Sequence, residues 1–179
     1  VDAVRDLAAA ITALPAAEKQ RLFQLLVERG ELPAGALPPA PPRSSALDYI
    51  LVFDGGSKGN PGWGYGSYAL TRVQDGAQRL ERIDLGDGYT NNEAEYDTLI
   101  AALQDLLSRI EEAGRQPQEF GLEVRGDSAL VINQVQGRWQ AKEPRMAERR
   151  DQCRQLLRRF GRVTLKAQPR EESVRILGH

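Results

Sequence analysis

The sequence predicts an α/β domain built on a mixed five-stranded sheet in the order βββαβααβ, flanked by helices and preceded by a helical hairpin. Three observations carry this. The run YILVF (49–53) is unbroken and apolar, as in a central strand covered on both faces. Two alternating stretches, GYGSYALTRVQ (64–74) and AQRLERIDL (77–85), meet at Asp75-Gly76, a strong hairpin signal. From residue 93 onward, segments of helical period alternate with short β-patterned runs, which implies helices packed on the sheet.

In chain order, residues 1–30 read as a helical hairpin. Val4, Leu7, Ala8 and Ile11 share one face, Pro15 opens a second helix carrying Leu22, Phe23, Leu25 and Leu26, and Gly30 ends it. Residues 31–46 (ELPAGALPPAPPRSSA) form a Pro-rich linker with no periodic apolar face. The domain then spans 47–179. After the three-strand meander come a long amphipathic helix over 93–113, a strand at 121–127 (GLEVRGD), a short helix from Ser128 stopped by Gly137, a helix over 145–160 stopped by Gly161, and a last strand, RVTLKAQ (162–168).

With 41% apolar residues the 179-residue chain can build a core, and no run approaches the roughly 20 apolar residues of a membrane span. The single cysteine, Cys153, leaves no intrachain disulfide and suggests a reducing, cytoplasmic setting. Net charge is −1, yet between Arg138 and Arg170 eleven Lys/Arg stand against three acids. This is either a polyanion-facing side or a solvated helix face.

The chemistry centres on carboxylates. The apolar run at 51–53 ends at Asp54 and gives way to six glycines within 55–66. A phosphate-cradling loop of the GxxxxGK[ST] type would have to feed a helix, whereas this segment feeds a β pattern. Glycines beside a charged site instead let a substrate backbone come close. In the 93–113 helix, Leu99, Leu103, Leu106 and Ile110 mark the buried stripe. Four residues before Leu99, on that same stripe, lies Glu95. Glu93 lies off the stripe and completes a capping box with Thr90, and Asp97 falls on the polar face, where solvation accounts for it. Asp127 ends a strand and is either the N-cap of the next helix or a ligand. Three acids brought to one spot would repel each other unless a cation neutralised them, and oxygen-only ligation suits a hard ion such as Mg²⁺ or Mn²⁺.

The blocks FDGGSKGNPGWGYGSY, TNNEAEYDTLIAAL and VRGDSALVINQVQGRW, in this order, resemble the three signature blocks of type 1 ribonuclease H. The likeness covers about residues 49–170, in the compact form that lacks a basic handle. It implies an endonuclease that hydrolyses the RNA strand of RNA–DNA hybrids with two divalent ions, Mg²⁺ or Mn²⁺. Asp54, Glu95 and Asp127 match its first three metal-binding and catalytic positions. Gly55, Gly56, Ser57, Asn60, Asn91 and Asn92 match positions that touch the hybrid, and Thr90 one that grips a DNA phosphate. Ser128, Trp139 and Lys142 are further substrate-side candidates, Trp139 being equally suited to packing between helices.

The fourth ligand position departs from the pattern, because the chain ends PREESVRILGH with no Asp. With Gly178 in the place of the pattern's small residue, His179 stands as the fourth ligand, and a neutral imidazole suits Mn²⁺ better than Mg²⁺. With Ser173 in the Asn place, Leu177 falls there and the ligand is missing. The reading adopted is His179. Its loss would leave a catalytically weakened hybrid- or RNA-binding module on the same fold. The N-terminal hairpin matches none of the three blocks, and its apolar stripe is expected to meet a protein partner or a second copy.

Overall fold

The computed structural model of the chain describes residues 3–36 and 43–178. Two helices, α1 (Ala3–Ala13) and α2 (Ala16–Glu28), precede an antiparallel meander of β1 (Tyr49–Gly59), β2 (Gly62–Arg72) and β3 (Gln78–Tyr89). Then follow α3 (Asn91–Glu112), β4 (Gly121–Gly126), α4 (Ala129–Gln136), α5 (Pro144–Leu157), β5 (Arg162–Ala167) and α6 (Arg170–Leu177). The sheet order is β3-β2-β1-β4-β5, with β4 parallel to β1 and β5 parallel to β4. The expected βββαβααβ order is therefore present, with α6 added. That helix has only two turns and buries only Ser173 and Leu177, too few positions to show a period, although Pro169 and left-handed Gly178 flank it.

The unbroken run at 49–53 is central because both faces of the sheet are covered. Leu51 and Phe53 join the stripe Leu99, Leu103, Leu106 and Ile110 of α3 in the main core. Val52, on the opposite face, packs with Ala69 and Leu177 under α6. Strand β1 does not stop at Asp54 but continues to Gly59, where a cis Asn60–Pro61 bond joins it to β2.

The glycines in this hairpin are used by the protein itself. Gly55 and Gly66 are cross-strand partners, and the first turns of α3 rest on them. A Cβ on Gly55 would lie 2.5 Å from the Ala94 carbonyl oxygen, and one on Gly66 would overlap Thr98 Oγ1. Ala94 and Thr98 are one helical turn apart, so the pair lets α3 settle on bare backbone. The close approach read from the sequence as room for substrate is, at Gly55, room for α3.

The expected capping box opens α3. Thr90 Oγ1 accepts from the Glu93 amide (3.3 Å), and Glu93 accepts from the Thr90 amide (3.0 Å) and hydroxyl (2.9 Å). Glu93 is buried and also pairs with Arg145 (3.1 Å) and Arg149 (3.6 Å) of α5. Burial opposes its charge, but the Thr90 hydrogen bonds and the two arginines outweigh burial and hold its carboxyl below the usual range. Because the folded value is the lower one, this stabilisation is present above the ordinary glutamate pKa and is lost as pH falls through the folded value. Glu93→Gln is accordingly expected to cost about 1.5–3 kcal/mol near neutrality. In paired thermal melts the gap from wild type should close toward acid pH, and a gap independent of pH would contradict this account.

Asp97, expected to be solvated, instead forms a two-pronged pair with Arg149 at 2.8 and 3.1 Å. The polar face of α3 is covered by α5, which the helix period alone does not reveal. The Pro-rich segment meets the domain at Arg43. Its Nη1 donates to Phe160 O (2.8 Å), and the Ser44 amide donates to Gln118 O (2.8 Å). The α1–α2 corner meets the end of α3, with Pro15 against Gly114 and Gln116 Nε2 donating to Gln20 Oε1 (3.2 Å). Val4 (77%) and Leu7 (62%) of α1 stand exposed. No helix among the described residues is long and apolar enough to cross a membrane.

Candidate active site

The β1–β4 ladder ends at the pair Phe53–Gly126. Asp54 and Asp127 are each the next residue, so parallel pairing sets the two acids side by side where the strands part. Glu95 arrives from the start of the second turn of α3, brought down by the Gly55–Gly66 pair. Asp54, Glu95 and Asp127 each offer an oxygen, and these atoms all lie within 4.8 Å of one another. The alternative role for Asp127 is not taken, because the N-cap of α4 is Ser128, whose side chain accepts from the Val131 amide. Ser128 thus has a structural role of its own.

The electrostatics are those of crowded, partly buried acids. Burial, then Asp54 and Asp127, push the Glu95 carboxyl up to about 9. One of its oxygens takes the Gly55 amide, while Glu95 Oε2 is buried with no hydrogen-bond partner among the described residues. Such an orphaned acceptor, in an all-oxygen donor set, fits a hard divalent cation. The one nearby cation on α6 is Arg170, which approaches Asp127 Oδ2 at 3.4 Å and is itself mostly exposed. Sequence reasoning missed it because α6 was not recognised.

The remaining candidates divide into two groups. The Ser57 amide donates to Asn91 Oδ1 (2.9 Å), and the Asn91 amide donates to Asn60 Oδ1 (3.2 Å), tying the β1–β2 turn to the start of α3. Asn60, Thr90, Asn91 and Asn92 line a cleft of about 250 Å³ with Glu143 and Met146. Gly56 lies on the other face of β1, beneath the Tyr65 hydroxyl. Trp139 is half exposed, which removes the option of packing between helices, and Arg138 and Lys142 are exposed beside it. Only residues 137–143 separate α4 from α5, so there is no room for an inserted handle.

The basic stretch is less open than its count suggests. Arg149 pairs with Asp97 and Glu93, Arg150 with Asp151, Arg159 with Glu111 and Lys166 with Glu123, while Arg154 and Arg162 donate to backbone carbonyls. His179 lies outside the described residues. Among those described, α6 brings no carboxylate to the cluster. Its inward positions are Ser173, which accepts from Gln168 Nε2 (2.9 Å), and Leu177, at 0% exposure beneath Val52 and Ala69.

A sequence profile for the family described as "Reverse transcriptase-like" matches residues 53–175. Ribonuclease HI of Halobacterium salinarum is 36% identical over 126 residues, which is 69% of this chain and 57% of that protein. The crystal structure of RNase H1 from the same organism superposes with a TM-score of 0.61 at 34% identity, covering 72% of this chain and 90% of that one. The chain belongs to the type 1 ribonuclease H family. LC11-RNase H1, solved in complex with an RNA/DNA hybrid, superposes on this ribonuclease H chain with a TM-score of 0.63 at 30% identity, over 72% and 90% of the two chains. The Bifunctional protein Rv2228c of Mycobacterium tuberculosis is 36% identical over 127 residues, 69% of this chain but 32% of its own length. The chain thus spans about half or less of the length of these curated relatives.

Proposed function

We propose that this protein is a metal-dependent endonuclease that hydrolyses the RNA strand of RNA–DNA hybrids. The observation that carries the reading is the convergence of Asp54, Glu95 and Asp127 within 4.8 Å around the orphaned Glu95 Oε2. Those three side chains would hold two divalent ions, Mg²⁺ or Mn²⁺, with His179 as a fourth ligand. Divalent ions held there would supply an activated water and charge stabilisation at the leaving 3′-oxygen. The chain's own contribution is positioning. The end of the β1–β4 ladder fixes two carboxylates, and the glycine pair under α3 fixes the third. Asn60, Asn91 and Asn92 line one cleft with Thr90; in this reading the asparagines would meet the hybrid's minor groove and Thr90 a DNA phosphate. Trp139 and Lys142 offer a stacking surface and a cation on the α4–α5 loop. Because most of the 138–170 cations are paired within the chain, hybrid affinity rests on this shaped groove more than on bulk charge.

The division into a hairpin at 1–30, a linker at 31–46 and a catalytic domain at 47–179 is part of this proposal, as is a cytoplasmic setting for the buried, free Cys153. So is a protein partner or self-association for the exposed stripe of α1. The second reading, a hybrid-binding module with weakened catalysis, draws on buried Leu177 in the stretch where the family's fourth acid is expected. A hybrid labelled on each strand in turn, incubated with Mg²⁺ and separately with Mn²⁺, tests both readings. Internal cleavage confined to the RNA strand is expected. Tight binding with both strands intact would favour the second reading, and a cut DNA strand would refute both.

A further inference from the structure

We propose that the outer face of the β1–β2–β3 meander beside the acidic centre is a stacking ledge for unpaired RNA, the single-stranded continuation of the strand engaged at Asp54. The inference rests on the nuclease reading above and extends it to substrate architecture.

Register places the parts. Across β1 and β2, Asp54 faces Ser67, Gly56 faces Tyr65 and Lys58 faces Trp63. Across β2 and β3, Ser67 faces Arg82 and Tyr65 faces Asp84. Directly opposed residues share a face of the sheet, and alternate residues along a strand do too. Asp54, Lys58, Trp63, Tyr65 and Arg82 therefore lie on one face, where a shallow groove of about 400 Å³ is lined by Lys58, Trp63, Tyr65, Arg82, Ile83 and Asp84.

Two large aromatics are presented there, Trp63 at 47% and Tyr65 at 43% exposure. Gly62, Gly64 and Gly66 alternate with them along the strand, and two of the missing side chains make room for packing on the other side: Gly64 meets Tyr89 and Gly66 meets Thr98. Tyr65 is held in place over β1, since a Cβ on Gly56 would come within 2.7 Å of its hydroxyl. Exposed aromatics bordering a charged site mark an interaction surface rather than spare core.

The chemistry favours an unpaired nucleic-acid strand. Bases inside a duplex are already stacked, whereas an unpaired base offers its face to an aromatic ring. Lys58 and Arg82, neither of them ion-paired among the described residues, flank the rings and complement phosphates. The one acid in the lining, Asp84, has an oxygen engaged by the Gly86 amide. At about 3.4 Å per residue, Gly56 and Lys58 lie about 7 and 14 Å along β1 from Asp54, within a few nucleotides of a phosphate held there. The Thr90–Asn91 cleft lies at the start of α3, tied to the same strand end; with the DNA strand held there, as in the nuclease reading, the strand that continues onto the ledge is the RNA engaged at Asp54.

The test is binding of the full chain, without divalent metal, to fluorescent hybrids read by anisotropy. The hybrids are blunt, carry a short oligouridine overhang on the RNA strand at either end, or carry the equivalent overhang on the DNA strand. An RNA overhang at one end is expected to tighten binding about tenfold, through one or two stacked bases. The DNA overhang should add nothing. Trp63→Ala/Tyr65→Ala should bring the overhang hybrid down to the blunt one, and Trp63→Leu/Tyr65→Leu, which keeps apolar bulk without a ring, should do the same. A gain from the DNA overhang, no gain at all, or a gain that survives both double variants overturns the ledge. If the blunt hybrid is bound and the overhang is silent, only the ledge fails. If no hybrid is bound here and none is cut once Mg²⁺ or Mn²⁺ is added, the nuclease reading fails, and the ledge fails with it.

Discussion

Asp54→Asn is expected to lower hybrid cleavage by at least about 10³-fold, the equivalent of about 4 kcal/mol of lost transition-state stabilisation. The substitution is nearly isosteric, so Phe53 and the end of the β1–β4 ladder keep their packing. What it removes is the charge of one of three carboxyl groups crowded within 4.8 Å. The same change should therefore stabilise the metal-free protein. Burial first, and then Asp54 and Asp127, hold the Glu95 carboxyl up at about 9, and taking away the Asp54 charge relieves part of that conflict. A gain of about 1 kcal/mol corresponds to about 2–4 °C in melting temperature for a domain of this size. Melting with and without Mn²⁺ separates the two effects. Wild type should gain stability on adding the ion, whereas the variant should start higher and gain less. A variant that cleaves like wild type, or that melts lower without metal and responds equally to Mn²⁺, would mean that these acids do not form a shared cation site.

Why the three acids were legible in the sequence, while much of their setting was not, follows from the range of each signal. Asp54 announces itself because a charge ends a run of core residues, and Glu95 because it falls on a stripe otherwise made of leucines and an isoleucine. Both are contradictions of a local pattern, and local patterns are what a sequence displays. Pairings across long separations leave no such mark. Asp97 looked solvated because its partner Arg149 is 52 residues away on α5. The arginines of 138–170 looked available for phosphate because Glu111 and Glu123, which take up two cations of that stretch, are likewise distant. Helix α6 escaped because eight residues burying two side chains have no measurable period. With it went Arg170 and the burial of Leu177, which bear on the fourth ligand. The glycines were read as a class, yet their physical reasons differ. Alternation in GWGYGSY turns the glycines toward α3 and β3 and leaves Trp63 and Tyr65 outside, a distinction that needs the strand's two faces and not merely its composition.

Gly55→Ala is expected to inactivate the protein although the residue has no side chain to do chemistry. Its Cβ would fall 2.5 Å from the Ala94 carbonyl oxygen and 2.7 Å from the Glu95 amide nitrogen, both backbone atoms of α3. No rotamer change relieves such a contact, so strand and helix must part. Overpacking of this kind costs about 1–3 kcal/mol or more. The helix that moves is the one carrying Glu95, and the Gly55 amide that holds the Glu95 carboxylate moves with the strand. A misplacement of about 1 Å in a catalytic group costs on the order of 10²-fold in rate, so activity should fall at least that far even where the fold persists. Rates measured well below the variant's own melting temperature keep the two losses apart. The proper control is Gly35→Ala, which has no atom within 4 Å of the added carbon and should behave as wild type. The decisive observation is the metal response of the folded variant. If Gly55 serves to seat α3, Mn²⁺ should stabilise Gly55→Ala less than wild type, because the third carboxylate no longer reaches the other two. If the variant folds, binds Mn²⁺ as wild type does and loses only hybrid affinity, then the bare backbone at this position exists for the substrate, and the seating of α3 on the Gly55–Gly66 pair is incidental.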